Sequence, residues 1–418
     1  MFLLPLPLTM NYKITAPARA IAEVALPASK SISNRALILN ALCAKKAQIS
    51  NIAKCDDTDA MVAALQSADD TINIGAAGTA MRFLTAYFAT RQGRTVTLDG
   101  SERMRQRPIG VLVDALRSCG ARIEYAGNEG FPPLRITGTR LSAQAIEIPG
   151  NVSSQYISAL LMISPLIEGC TTLRLSGNII SRPYIDMTLA LMEQFGVKAT
   201  INGNEISLPQ NAAYTARNFV VENDWSAASY WFQMQALMPQ SRISLKGLFA
   251  DSMQGDSAVE RLFAPFGVVA NRCGAYLDLR TMPVAPDFIE MDLLGNPDLA
   301  QTIVVTACLL DRPFHITGLQ TLKIKETDRI EALRTQLLKL GYVIDVEPDY
   351  SLRWHGTMQA PHQCPSIATF KDHRMAMAFA PAAVRHPDIV IEDAAVVSKS
   401  YPEYWQHLAQ AGFIIEEA

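Results

Sequence analysis

The sequence repeats itself. A stretch alternating apolar and polar residues ends in Gly or Asp, a short loop follows, then an amphipathic segment closing on Gly, then another alternating stretch. TVTLDG at 95–100 leads to PIGVLVDALRSCG ending at Gly120, and TTLRLSG at 171–177 leads to YIDMTLALMEQFG ending at Gly196. RISLKG at 242–247 leads to SAVERLFAPFG and Gly267, PFHITG at 313–318 to TDRIEALRTQLLKLG and Gly341, and DIVIED at 388–393 to YPEYWQHLAQAG and Gly412. A weaker copy runs from AQISNI at 47–52 into DDTDAMVAALQSA.

Each half of the unit has a physical cause. Alternation such as Val96/Leu98 or Leu173/Leu175 presents one apolar face at period two, which is a half-buried strand. Across 327–340, Ile330, Leu333, Leu337, Leu338 and Leu340 recur at helical spacing. The closing Gly supplies a left-handed cap, and Asp, Ser or Thr near the helix starts can accept from free N–H groups. Gly-capped helices are common in any α/β protein, but the near-constant separation of corresponding turn residues favours true repetition. Polar residues also collect at one phase of the unit, the loop-to-helix junction: Arg107, Ser181, Tyr184, Lys325, Glu326, Arg329 and Lys399.

A chain of 418 residues exceeds one ordinary core, so at least two domains are expected. Hydrophobic residues at 49% and charged residues at 18% argue for a globular protein without long disorder. A net charge of −3 and a pI near 6.1 give no general attraction to nucleic acid or an anionic membrane. If the ligand is anionic, its cations must be gathered locally. The seven cysteines are scattered and never spaced as CxxC, which suits free thiols in a reducing cytoplasm. The six histidines show no pair at metal-ligand spacing. The opening MFLLPLPLT is too short to span a bilayer, and residues 1–9 read as an upstream start or a tail. A soluble, cytoplasmic protein is expected.

Six clusters carry candidate chemistry. LPASKSISNRALIL opens an apolar run with Lys30, Ser31 and Arg35; free N–H groups and a positive dipole end there make an anion site. GAAGTAMRFL offers Gly75, Gly78, Thr79 and Arg82, with small residues that let backbone approach a ligand, but not the spacing of a nucleotide P-loop. SERMRQRPIG places Arg103, Arg105 and Arg107 before Pro108, and one of these is a candidate phosphate or carboxylate fork. NVSSQYISALL holds Ser153, Ser154 and Gln155, and SRPYID holds Ser181 and Tyr184; taken alone, the first reads as a helix cap. The sixth is LKIKETDRI with KDHRMAMAF. A surface salt-bridge network is the plain account of Lys325, Glu326, Asp328 and Arg329, whereas His373-Arg374 at the head of so apolar a helix calls for a ligand. Asp298, at the start of an apolar helix in NPDLAQTIVV, reads as cap or catalytic carboxylate.

Together SKSISNRA, GTAMR, QRPIG, SSQYISALL, RPYID, NDWSAASYW, MQGD, IKETDR, DHRMAM and SKSYPEYW occur in the order seen in the 5-enolpyruvylshikimate-3-phosphate synthase family of enolpyruvyl transferases. The chain resembles that family from residue 29 to about 405. The resemblance implies an α/β, two-domain enolpyruvyl transferase fold, each domain three βαβαββ units. It puts residues 1–28 with 225–418 in a discontinuous domain and 29–224 in a continuous one. The implied reaction moves the enolpyruvyl group of phosphoenolpyruvate to the 5-hydroxyl of shikimate 3-phosphate, by addition and then loss of phosphate. No metal or organic cofactor is implied, and the partners are small molecules acting on a monomer, with no nucleic acid or membrane.

Carried over residue by residue, the resemblance gives Lys30, Ser31, Arg35, Ser153, Ser154, Gln155, Ser181, Tyr184, Asp298, Thr321 and Lys325 to shikimate 3-phosphate. It gives Lys30, Gly78, Arg107, Gln155, Arg329, Arg374 and Lys399 to phosphoenolpyruvate, and Lys30, Asp298, Lys325, Glu326 and His373 to catalysis. Two steps of opposite proton direction need paired groups whose pKa values are set apart, and fixed guanidinium charges suit phosphate and carboxylate. The chain departs from the family pattern at Ala76, where an Asn is usual, at Phe83 in place of Pro, and at Thr321 in place of Asn. The stretch between Asp57 and Gly75 is also short, which truncates the first repeat. Rival readings are the sister transferase acting on UDP-N-acetylglucosamine, a silent binding member of the fold, and a cyclase-like protein acting on RNA ends. The sister opens Lys-Asn where this chain has Lys30-Ser31, and the charged residues a silent member would lose are present.

Overall fold

A computed structural model of the chain describes residues 10–209, 212–283 and 286–418. The reading of residues 1–9 lies outside them. Among the described residues the repeats become sheets. Five four-stranded sheets share one connectivity: the first strand pairs in parallel with the second, which runs antiparallel to the fourth, which runs antiparallel to the third. One example takes Thr71–Asn73, Thr95–Asp99, Arg122–Tyr125 and Leu134–Thr137, with Val96 opposite Ile136. In the last copy the fourth strand is Tyr12–Thr15, so the beginning of the chain closes the final repeat.

The sixth copy is cut short. Ile49–Ser50 pairs in parallel with Phe219–Val220 and nothing follows in that sheet. The helix Asp56–Gln66 ends just before the strand Thr71–Asn73 begins, which leaves no residues for the closing hairpin. Where strands end, the chain turns through left-handed residues, φ 72° at Gly177 and 76° at Gly318; Asn51 and Asp393, types that tolerate this region, do the same at φ 53° and 48°.

The chain divides into two compact units. The continuous unit is Ala28–Glu222 with Asp251–Gly255, and the other comprises the chain up to Pro27, Asn223–Ala250 and Asp256–Ala418. Segment 251–255 therefore departs from the expected 225–418 assignment. The reason is local: Ser252 Oγ and Gln254 Nε2 donate to the Glu222 carboxylate at 2.7 and 2.8 Å, and Glu222 is buried.

In the continuous unit the helices Lys30–Leu42, Gly78–Ala89 and Ser154–Ile163 are buried on nearly every side. In the discontinuous unit Trp225–Leu237, Ala300–Leu309 and His373–Phe379 hold the same place. Helices apolar all round belong inside, which is why SSQYISALLMI shows no amphipathic stripe. The second helix of each repeat, such as Arg182–Gln194 or Arg329–Lys339, buries one face and leaves the other in water. Each unit has its own core. Truncating a fully buried side chain such as Phe232 or Trp231 would cost roughly 3–5 kcal/mol. One expected helix breaks up. SAVERLFAPF folds as the short pieces Gly255–Ala258, Val259–Leu262 and Ala264–Phe266, because Pro265 has no N–H to continue the ladder.

Candidate functional site

In the continuous unit the polar clusters meet at helix N-termini. Ser29 caps Lys30–Leu42, its side chain accepting from the Ile32 N–H, so Lys30 and Ser31 occupy the first turn. Lys30 Nζ donates to Asp57 Oδ2 at 3.0 Å. Arg35, one turn on, is only 2% exposed. Its Nε donates to Thr188 Oγ1 at 2.8 Å, its Nη2 to Ser158 Oγ at 3.1 Å and its Nη1 to the Ser31 carbonyl at 3.0 Å. The guanidinium also lies over the Phe83 ring at 5.2 Å, which gives the departure at Phe83 a role. Burial lowers its pKa to about 10, so it stays charged at neutral pH.

Ser153 caps Ser154–Ile163 by accepting from the Gln155 N–H, as a cap reading requires, and Gln155 Nε2 donates to Thr79 Oγ1 at 3.2 Å. That bond ties the first turns of two inner helices together. Ser181, at φ 53°, precedes Arg182–Gln194 without a side-chain cap bond, and Tyr184 lies one turn before Thr188. Of the three arginines in SERMRQR, Arg105 is exposed and pairs with Asp99 at 2.5 Å, and Arg103 is exposed near Gln106. Arg107 turns inward and is 6% exposed. Its guanidinium lies against Gly78: a Cβ built there would fall 2.5 Å from Nη1 and 2.9 Å from Nη2. Helix N-termini, the guanidinium groups of Arg35 and Arg107 and the Lys30 ammonium give this unit group types suited to an anion.

In the discontinuous unit the charges are interlocked, with Arg329, Asp372, Arg374 and Lys399 buried and Asp298, Lys325 and Glu326 half-buried. Asp298 sits in the turn Pro297–Leu299 ahead of Ala300–Leu309 and does not cap that helix. Its oxygens accept instead from Arg374 Nη2 at 2.9 Å, Arg329 Nη1 at 3.2 Å and Lys325 Nζ at 3.4 Å. Arg329 is 1% exposed and grips Asp372 with Nε at 2.7 Å and Nη2 at 3.3 Å, while Nη2 also reaches Glu326 at 2.9 Å. Lys399 Nζ donates to Glu326 at 3.4 Å. The surface-network account of LKIKETDRI fails at Arg329, which is desolvated, whereas Lys325, Glu326 and Asp328 are half-buried.

Asp372 caps His373–Phe379 by accepting from the Arg374 N–H at 2.9 Å, and buried His373 Nδ1 stands 3.7 Å from its carboxylate. Thr321 is half-buried in the turn Gln320–Ile324, and its hydroxyl has no hydrogen-bond partner among the described residues. Asp256, also buried, accepts from Ser226 and from Asn296 Nδ2 at 3.2 Å.

The electrostatics set two carboxyls apart. Burial works to raise the Asp298 pKa, but Arg374, Lys325 and Arg329 hold it well below the ordinary 3.8. Asp256 is pushed the other way, by burial and by the charge of Asp298. Arg329 is raised: burial opposes its charge, and Asp372, Glu326 and Asp298 more than compensate. Sequence reasoning did not single out Asp57, Asp256, Asp372, Ser158 or Thr188. Asp57, Asp256 and Asp372 stand inside or beside quoted motifs, but which cation each serves depends on contacts from distant elements. Among the described residues no group of three or more His, Cys, Asp or Glu side chains is arranged to hold a metal, and no helix is long and apolar enough to cross a membrane.

Six related strand–helix units, with cations and carboxylates gathered at helix N-termini, define a two-domain enolpyruvyl transferase fold. Two solved structures of EPSP synthase from Acinetobacter baumannii share it: one aligns at a TM-score of 0.75 and 20% identity, covering 98% of this chain and 100% of the other. The family model of EPSP synthase (3-phosphoshikimate 1-carboxyvinyltransferase) matches residues 14–69 and 65–408. A 3-phosphoshikimate 1-carboxyvinyltransferase of Bacteroides fragilis is 52% identical over 407 residues, 97% of this chain and 99% of the relative. One from Vibrio atlanticus is 38% identical over 422 residues, 92% and 96% of the two chains. The chain belongs to the EPSP synthase family.

Proposed function

We propose that this chain transfers the carboxyvinyl group of phosphoenolpyruvate to the 5-hydroxyl of shikimate 3-phosphate, releasing phosphate, in the biosynthesis of aromatic amino acids. The observation that carries the chemistry is Asp298, a half-buried carboxylate kept ionised by three cations at 2.9 to 3.4 Å. A carboxylate held so low is a weak base while its cations are on it; as phosphoenolpyruvate claims Arg329 and Arg374, Asp298 gains the basicity to take the proton of an attacking hydroxyl, with Lys325 beside it as a positioned proton carrier. Glu326 and His373 complete the catalytic set, Glu326 between Arg329 and Lys399 and His373 against Asp372.

The polar groups of the continuous unit serve binding. Ser153, Ser154 and Ser181 take the phosphate of shikimate 3-phosphate, Ser31 and Arg35 its carboxylate, and Gln155 and Tyr184 its ring, with Thr321 and Lys325 as further contacts. Lys30, Gly78, Arg107, Gln155, Arg329, Arg374 and Lys399 hold phosphoenolpyruvate, where several charges are neutralised together. Arg35 supports its role poorly by exposure but well by chemistry: three of its five N–H donors are spent on protein, and two remain. The protein works as a cytoplasmic monomer; all seven cysteines are free thiols and five are buried, which fits a reducing compartment.

The test is phosphate release from phosphoenolpyruvate with shikimate 3-phosphate, with UDP-N-acetylglucosamine and with no acceptor. Release with the first alone is expected. Release with UDP-N-acetylglucosamine would move the chain to the sister activity, and none with any acceptor would make it a silent member.

A further inference from the structure

Four helices of the continuous unit meet around one guanidinium. Arg35 stands on Lys30–Leu42, Phe83 on Gly78–Ala89, Ser158 on Ser154–Ile163 and Thr188 on Arg182–Gln194, and all four residues are buried. Among the described residues no carboxylate pairs with Arg35; two hydroxyls, a carbonyl and a ring surround it instead. Arg329 in the other unit, equally buried, is held by three carboxylates. A buried guanidinium without a counter-ion keeps its charge for an anion that arrives later.

The hydroxyls are wired in one direction. Thr188 Oγ1 donates to the Tyr184 carbonyl at 2.9 Å, one turn earlier on its own helix, which leaves its lone pairs open. They accept from Arg35 Nε at 2.8 Å and from Ser158 Oγ at 2.8 Å, so Ser158 is the donor in that pair. The Ser158 oxygen in turn accepts from Arg35 Nη2 at 3.1 Å. Nε and Nη2 share one edge of the guanidinium, and the two neighbouring hydroxyls match that edge. Nη1 donates to the Ser31 carbonyl at 3.0 Å, and the Phe83 ring covers a face at 5.2 Å. One N–H on each terminal nitrogen remains, which is the fork a carboxylate takes.

Resting on the function proposed above, we propose that Ser158, Thr188 and Phe83 are positioning residues for Arg35: the hydroxyls fix one edge of the guanidinium and the ring fixes its face, so that the remaining fork meets the carboxylate of shikimate 3-phosphate with its charge uncancelled. All three are wholly buried and act through Arg35.

The variant Thr188→Val keeps the shape and removes the hydroxyl, while the Tyr184 carbonyl retains its helix bond. With the full-length enzyme, the KM for shikimate 3-phosphate should rise about tenfold, the low end of the range for a lost hydrogen bond to a charged group. The kcat and the KM for phosphoenolpyruvate should stay near those of the parent. Thr188→Ser removes a methyl group and keeps the oxygen, so its melting temperature should fall while its KM for shikimate 3-phosphate returns close to the parent value. Phe83→Leu should raise the same KM roughly two- to tenfold. In an Arg35→Lys background Thr188→Val should add little, because the planar edge is gone. An unchanged KM for shikimate 3-phosphate in Thr188→Val, equal rises in both KM values, the same rise in Thr188→Ser, or additive effects in the double variant would each overturn the assignment, and an unchanged KM in Phe83→Leu would remove the ring from it. A parent with no turnover would instead count against the function itself.

Discussion

Replacing Gly78 with Ala separates binding from folding in a single atom. Gly78 opens the helix Gly78–Ala89, and its backbone is not in the left-handed region, so an Ala is sterically acceptable to the backbone. A Gly-to-Ala change at such a helical position stabilises by about 0.4–1 kcal/mol, so the melting temperature should hold or rise slightly. The new Cβ would lie 2.5 Å from Arg107 Nη1 and 3.0 Å from Cζ. Ordinary contact between such atoms is about 3.5 Å, so the guanidinium must retreat by about 1 Å. A side-chain end can do that at little cost to stability, but a charge-assisted contact to substrate is lost, worth roughly 1.5–3 kcal/mol. The KM for phosphoenolpyruvate should therefore rise about ten- to a hundredfold. Steady-state kinetics and a thermal melt on the same sample are sufficient. A KM equal to that of the parent would refute the view that Arg107 works from its present position, and a clear drop in melting temperature would refute the claim that Gly78 is there for the ligand.

Asp298→Asn keeps the shape of the side chain and removes the base, so turnover should fall by about 10²- to 10⁴-fold without loss of fold; activity within tenfold of the parent would remove Asp298 from proton transfer. Lys30→Met should bring turnover close to background, with an unchanged circular dichroism spectrum as control. Asp372→Ala leaves the buried Nε of Arg329 without its acceptor, with Asp298 and Glu326 still pairing the guanidinium, and uncaps a helix; it should cost about 2–4 kcal/mol in urea unfolding, with Asp372→Asn costing less because the cap survives. Asp298 also gives a pH signature. Its folded pKa lies below 3.8, so the unfolded chain takes up the proton first as pH falls. The stability it contributes is then complete above about pH 5 and is lost progressively as pH falls from the ordinary 3.8 down through the lower folded value, and melting curves of Asp298→Asn should show a smaller loss below about pH 4.

Much of the architecture was readable because the repeat is written in local chemistry. TVTLDG and TTLRLSG alternate and end on turn residues, and they are strands with left-handed turns or tight loops after them. The inner helices were less legible: Ala300–Leu309 is buried on all sides, so it carries no stripe from which to read a face. The truncated first repeat showed as missing length before Gly75, and its consequence is a two-stranded sheet. What local pattern cannot give is pairing. LKIKETDRI looks like a surface network because its charges lie within one turn, yet Arg329 is buried by Asp372 from 43 residues away. Asp298 looked equally like a cap, and only contacts from Arg374 and Arg329 show that its oxygens face elsewhere. Likewise the three arginines before Pro108 are alike in residue type, and where the resemblance points to Arg107 the physical distinction is its burial.

In the proposed reaction the carboxyvinyl group moves and phosphate leaves with its bridging oxygen. Phosphoenolpyruvate labelled with ¹⁸O at the bridging ester position tests this directly, with shikimate 3-phosphate as acceptor and both products read by mass spectrometry. Attack of the 5-hydroxyl at C2 followed by cleavage of the carbon–oxygen bond predicts that the label leaves in inorganic phosphate, while shikimate 3-phosphate gains an unlabelled carboxyvinyl ether. Label retained in a three-carbon product, with no ether formed, would mean that the phosphorus–oxygen bond breaks, and the roles proposed for Asp298, Lys325 and the arginines around them would be wrong.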